Sequence, residues 1–390
     1  MYAGIVCLIL GYGMSQFYRA FIAVLSPVLK LDLGVTTEDL STASGLWFLT
    51  FAVMQLPVGW ALDRIGPRRT VVALFATGGA GGAAVFAMAQ GAAGLNLAMA
   101  LIGIGCSPVL MSAFYIFARS FAPAMVGTWA GITVGTGSLG NIMGSLPLAW
   151  AVEVFGWRAC AWGLVALTLV IAVALAVLVR DPPRVEHHEK GSLLDLLRMP
   201  KFWPLLVMMF VCYYPVASLR GLWIGPYFAD VFGADQARIG MASLIMALAI
   251  VVGTYAYGPL DRVLGTRKWL IFGGNLLGAL CVFGLWAAPA AGPWWSMALL
   301  AGVGVFGGSY PMVLTHGRAF VPPHLMGRGV SLLNLSGIGA VGVAQFVTGR
   351  VFAATPATPA SAPYAAVFLV IGLGVLAGLA VYAFSEDRVD

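Results

Sequence analysis

Apolar runs long enough to cross a bilayer recur along this 390-residue chain, and they limit what it can fold into. A transmembrane helix needs about 20 mostly apolar residues. Runs of that kind, parted by short polar breaks, fall at 3–29, 42–62, 69–90, 94–118, 127–153, 157–179, 202–229, 237–260, 268–288, 294–315, 329–350 and 364–385. Twelve such spans take roughly 240 residues, which leaves short loops and no room for a soluble catalytic domain. Only 9% of the residues are charged, against about 25% in a soluble domain. So few charges cannot cover a water-facing surface. The expected fold class is an all-α membrane protein of 12 transmembrane helices.

The charges set the orientation. With a cytoplasmic N-terminus, the inner loops hold Arg64, Arg68, Arg69, Arg119, Arg180, Arg184, Lys190, Arg198, Lys201, Arg262, Arg267, Lys268, Arg318, Arg328 and Arg388. The outer loops hold only Lys30, Arg158, Arg238 and Arg350. Fifteen against four is the positive-inside bias, and it predicts a multi-pass protein of the bacterial inner membrane with both termini cytoplasmic. The net charge of +6 is therefore topological, and no nucleic-acid partner is expected. The N-terminal run lacks the basic region of a signal peptide and is read as the first span. Five cysteines, Cys7, Cys106, Cys160, Cys212 and Cys281, fall inside spans with no metal-ligand spacing, so they read as packing residues. No cofactor or metal is implied.

The chain repeats itself at about two hundred residues. Asp63-Arg64-Ile65-Gly66-Pro67-Arg68-Arg69 follows span 2, and Asp261-Arg262-Val263-Leu264-Gly265-Thr266-Arg267-Lys268 follows span 8, the aspartates 198 residues apart. Arg119-Ser120-Phe121-Ala122-Pro123 ends span 4 and Arg318-Ala319-Phe320-Val321-Pro322 ends span 10, at an offset of 199. Tyr12 with Arg19 matches Tyr213 with Arg220, both at 201. Three pairs near one offset indicate a duplicated six-helix unit. The expected domains are bundles at 1–180 and 201–390 joined by a polar cytoplasmic linker at 181–200. Within that linker, Ser192 to Met199 is read as a short surface helix.

Two six-helix halves, each with a charged loop after its second helix, resemble the major facilitator superfamily over essentially the whole chain. Gly59-Trp60-Ala61-Leu62-Asp63-Arg64-Ile65-Gly66-Pro67-Arg68-Arg69 matches that family's signature loop, with a degenerate copy at 258–268. The resemblance implies two pseudo-symmetric bundles around a central cavity that opens alternately to each side. It also implies that the loop cluster latches the cytoplasmic side. The gating set is then Gly59, Asp63, Arg64, Arg68 and Arg119, with Asp261, Arg262, Arg267 and Arg318 in the second half. Gly59 is expected to allow close helix approach. Asp63 is expected to accept from backbone N–H groups at a nearby helix N-terminus, and the arginines to pair with carboxylates or lipid head groups.

Of 21 basic residues, only Arg19 and Arg220 lie deep in spans. Arg19 is on the order of 24 Å into span 1 at 1.5 Å per residue. A guanidinium at such depth costs several kcal/mol unless it meets water or an acceptor, so both should face the bundle interior. Tyr12, Gln16 and Tyr213 share their faces at helical spacing. In the family, spans 1 and 7 line the cavity, and an arginine from each half is similar to the anion-binding pair of the organophosphate and organic-anion carriers. The planar guanidinium grips a carboxylate or phosphate at two points. Asn141 and Asn334, on the cavity-lining spans 5 and 11, complete the expected site.

No carboxylate or histidine lies deep in a span; Glu153, at the outer end of span 5, comes nearest. The arginine pair thus has no fixed counter-ion, which leaves a small anionic solute as the natural one. Span 5 also carries a stripe of Gly131, Gly135, Gly140 and Gly144 suited to close packing. Met99 stands where the family's proton-coupled exporters would place an arginine. The expected function is a secondary active transporter of a small organic or inorganic anion, acting by alternating access as a monomer in contact with membrane lipids. Proton-coupled efflux of amphiphiles and a transporter-like membrane sensor are the alternatives. No zinc set and no Ser-His or paired-Asp arrangement points to an enzyme.

Overall fold

The computed structural model describes residues 2–182, 193–322 and 325–388, less a few side chains, that of Arg262 among them. Every regular element among these residues is a helix. The first compact unit holds α1 (Tyr2–Tyr18), α2 (Phe21–Leu33), α3 (Thr37–Arg64), α4 (Pro67–Met88) and α5 (Ala92–Ser120). It continues with α6 (Pro123–Met143), α7 (Leu146–Phe155) and α8 (Trp157–Leu178). A short α9 (Leu193–Leu197) stands within the stretch read as a surface helix. Then follow α10 (Pro200–Phe232), α11 (Gln236–Leu264), α12 (Arg267–Ala287), α13 (Pro293–Arg318), α14 (Met326–Ala354) and α15 (Ala362–Tyr382).

Among the described residues, ten helices are long and apolar enough to cross a membrane, and the bent pair α1–α2 makes an eleventh. The remaining expected span, 127–153, is interrupted at Gly144 and Ser145 between α6 and α7, where Pro147 begins a new helix. Contacts divide the chain into two compact units, Met1–Glu186 with Asp235–Met241, and His187–Ala234 with Ala242–Asp390. His187, His188 and His324 lie outside the described residues.

Burial separates core helices from lipid-facing ones. The apolar window of α10 is 67% buried and that of α5 61%, whereas that of α8 is 28% buried. On α8, Val170, Val173 and Val177 form an exposed helical stripe, as a lipid-facing surface requires. In the second unit, exposed Trp203 and Trp269 mark one set of helix ends, and Trp286, Trp294 and Trp295 the other, as interfacial anchors do.

Small residues allow the tight crossings. In the first unit, Gly78 and Gly79 of α4 lie against Gly105 of α5, and Gly103 of α5 meets Trp47 and Thr50 of α3. Gly304 of α13 does the same in the second unit, with Met246 O 3.0 Å from where its Cβ would be. Polar ties close the helix ends away from the charged loops. Arg158 donates to the carbonyls of Ala87 and Ala89, and Tyr364 donates to Asp230. The five cysteines are all free.

Candidate functional site

Both membrane-depth arginines stand where the first helix of their half loses regular geometry. In the first unit the chain bends by 46° between α1 and α2, and Arg19 lies in the break. There the Ala20 amide reaches back only three residues, to Phe17 O. Past the bend, Ser26 donates to Ala23 O at 2.9 Å, replacing the N–H that Pro27 lacks. In the second unit Arg220 lies in a widened π-turn, Leu219–Trp223, where the Ile224 amide reaches back five residues to Leu219 O. Single π-turns inside α-helices are frequent at functional sites. At membrane depth such backbone is tolerated where protein or a polar cavity surrounds it. Both arginines are buried, at 8% and 6% exposure. The Arg19 guanidinium lies 5.3 Å from the Trp47 ring centre and 5.0 Å from that of Phe51. Cation–π contact of this kind fixes the head of a flexible side chain.

Of the other expected site residues, Tyr12 and Gln16 are bonded to each other in the first unit, and Tyr213 and Asn334 are joined in the second. In the first, Gln16 Nε2 donates to the Tyr12 hydroxyl at 2.6 Å. The Tyr12 ring packs on Gly137 of α6, the helix that also carries Asn141. In the second, the Tyr213 ring centre is 4.9 Å from that of Tyr310, whose hydroxyl donates to Asn334 Oδ1. Tyr310 thus joins Asn334 to Tyr213. Glu153 is exposed. The glycine stripe on α6 needs correction. Gly140 and Gly144 face α1, as does Gly137, but a Cβ at Gly131 would meet nothing within 4 Å.

The charged loops depart from expectation in two respects. Asp63 does not cap a helix; it is 66% exposed and pairs with Arg119 at 3.8 Å, whose guanidinium stacks on Tyr115. The amide at the start of α4, Arg68 N, donates instead to Asp181 at 2.7 Å. Asp181 was read as a linker residue because nothing in its local pattern marks it. Gly59 is not a close-approach glycine, since a Cβ there would meet only the Met111 terminal methyl at 3.8 Å. The tight contact to α3 comes from Gly103 instead. Arg64 lies over Trp60, and both it and the Arg68 side chain are exposed. In the second unit Asp261 pairs with Arg267 at 3.3 Å, and Arg318 is exposed. The side chain of Arg262 lies outside the described residues.

The residues after α15 are knitted into the second unit. Glu386 pairs with Lys201 at 2.5 Å and with Arg388 at 3.1 Å. Arg388 donates to Ala319 O and lies over Phe320. His316, fully buried, bonds Tyr382 through Nδ1 and the Glu386 carbonyl through Nε2. Asp387 accepts from Thr266 Oγ1 and from the Arg267 and Lys268 amides. Burial alone would raise the Asp387 pKa, but those donors outweigh it and hold the group below its ordinary value. The Lys201 ammonium and Arg388 do the same for Glu386. A depressed carboxylate stabilises the fold above its unfolded pKa, and that contribution is lost as pH falls through the folded value. The contribution of these two carboxylates to the melting temperature should therefore be flat from about pH 5 to 8 and be lost below about pH 4. In Asp387→Asn, part of that acid-dependent fall should be missing.

Lipid-facing helices in two similar halves, each with a buried arginine at the broken middle of its first helix and a charged loop after its second, define a duplicated polytopic membrane protein. Residues 8–345 match the Major Facilitator Superfamily, and the chain belongs to that family. It is 24% identical over 289 residues to a probable sulfoacetate transporter of Cupriavidus necator, covering 67% of this chain and 65% of that protein. It is 24% identical over 293 residues to the hexuronate transporter of Escherichia coli, covering 69% of this chain and 66% of that one. The chain thus spans a little under two thirds of the length of these curated relatives. A solved structure of a D-xylose–proton symporter superposes with a TM-score of 0.80 at 15% identity, covering 99% of this chain and 98% of the other, which shows the fold alone.

Proposed function

We propose that this chain is a secondary transporter that carries a small organic anion across the membrane by alternating access, with Arg19 and Arg220 as its two grips, one from each half. The observation that carries this reading is the repeated pairing of a buried arginine with an interrupted first helix. A regular helix would bury all its backbone donors and acceptors, whereas a broken one leaves polar backbone beside the guanidinium. Relatives described as carriers of sulfoacetate and hexuronate, each an organic acid, favour a carboxylate or sulfonate over inorganic phosphate. The basic bias of the loops supports a bacterial inner-membrane location with both termini inside. Specific ligands stabilise a folded protein by mass action. A thermal-shift screen of carboxylates, sulfonates and phosphates on the purified protein is therefore the direct test. A shift by none of them would count against an anion site.

In this reading the Asp63–Arg119 pair belongs to the cytoplasmic gate. With its carboxylate exposed and 3.8 Å from Arg119, Asp63 contributes about 0–1 kcal/mol to stability through this pair, so Asp63→Asn should melt close to wild type. Uptake into proteoliposomes should nevertheless fall several-fold, because the gate loses its charge contact. Wild-type uptake in this variant would reduce Asp63 to a topology marker.

A further inference from the structure

In each half an aspartate just past the last helix holds the first turn of the third. Asp181, three residues beyond Leu178 at the end of α8, accepts from Arg68 N at 2.7 Å. Asp387, five residues beyond Tyr382 at the end of α15, accepts from Arg267 N and Lys268 N at 3.2 and 3.0 Å, and from Thr266 Oγ1. Each helix start so held follows a glycine in left-handed backbone, Gly66 at φ 105° and Gly265 at φ 63°. The Gly66 position is tight as well, since a Cβ there would lie 3.1 Å from the Asp181 carboxylate. Both aspartates serve N–H groups that a helix start leaves without intrahelical partners.

Chain length makes these contacts matter for the charged loops. Only Ile65 and Gly66 separate Arg64, the last residue of α3, from Pro67. Only Gly265 and Thr266 separate Leu264 from Arg267. A two-residue link cannot absorb a shift of one helix end against the other, so pinning the start of α4 also pins Asp63 opposite Arg119. Pinning the start of α12 likewise holds Arg267 on Asp261.

We propose that Asp181 and Asp387 are positioning residues of the two charged loops, tying each loop to the end of its own half so that loop and final helix move as one body when the transporter opens and closes. This rests on the transport reading above.

The test uses the full-length protein with Asp181→Asn and Asp387→Asn, each keeping side-chain shape but losing charge. Amide exchange at 61–70 and 261–270, substrate affinity by thermal shift, and turnover in proteoliposomes are measured together. Exchange in the affected loop should rise and turnover should fall about tenfold, the equivalent of one hydrogen bond to a charged group. Affinity should stay within about twofold, because the anion site is not touched. Unchanged exchange, or turnover at wild-type level despite a loosened loop, would overturn the proposal. So would a loss of affinity in step with turnover, which a merely structural role predicts. If an Asn variant does not fold, Asp181→Glu keeps the charge but displaces it, and wild-type turnover there is equally damaging. If the wild-type protein moves no anion, the transport reading fails alone, and the exchange arm still decides whether the aspartates hold the loops.

Discussion

Arg19→Lys and Arg220→Lys are each expected to weaken anion binding more than tenfold while leaving the protein folded. Lysine keeps the charge but loses the planar pair of donors that meets a carboxylate or sulfonate at two points. A charge-assisted hydrogen bond contributes roughly 1.5–3 kcal/mol, and 1.4 kcal/mol is a factor of ten in affinity. Alanine at either position should abolish measurable binding. If both arginines act on one ligand, the double Ala variant should bind no worse than either single one, because contacts to a shared ligand are not additive. Arg19→Ala removes the group lying on Trp47 and Phe51 and should cost about 0.5–2 kcal/mol from that contact. Titrating anions against melting temperature on these variants separates the cases. Retained affinity in both Ala variants would sink the anion site, and full additivity would assign the arginines to separate ligands.

The large features were legible because each rests on a periodic or repeated signal. Helix spans follow from apolar length, and the duplication from three matched pairs near one offset. The depth of Arg19 and Arg220 needed only counting. What stayed hidden depends on backbone geometry or on partners remote in sequence. Nothing in Phe17-Tyr18-Arg19-Ala20 announces a bend; Pro27 lies eight residues later and frees a carbonyl only as far back as Ala23. The π-turn at Arg220 is equally silent. Asp181 and Asp387 escaped because they are 206 residues apart, off the common offset, and their neighbours differ. The capping role therefore went to Asp63, which has the right chemistry in the wrong place. Small-residue stripes mislead in a related way, since composition shows which positions are small but not which way they face.

Alanine at Gly140 should be among the most damaging single-methyl additions in the first half. A Cβ there would lie 2.7 Å from the Gly13 carbonyl carbon and 3.0 Å from its Cα, so it would meet backbone of α1, with no side chain to rotate aside. Either α6 moves off α1 or the bend at Arg19 deforms. Overpacking of this kind typically costs 1–3 kcal/mol, and a backbone obstacle belongs at the upper end. Gly131→Ala, on the same helix, supplies the contrast. Its Cβ would meet nothing within 4 Å, and alanine is favoured over glycine in a helix by about 1 kcal/mol. Gly131→Ala should therefore melt at or slightly above wild type, with transport intact. Gly140→Ala should melt well below it and transport poorly. Gly137→Ala falls between them in stability but strikes the site directly, because its methyl would displace the Tyr12 ring that bonds Gln16. Its affinity for the anion should drop by more than its melting temperature would suggest. Equal melting of the Gly140 and Gly131 variants would show that α6 does not depend on that crossing, and would remove the packing basis for placing Asn141 beside α1.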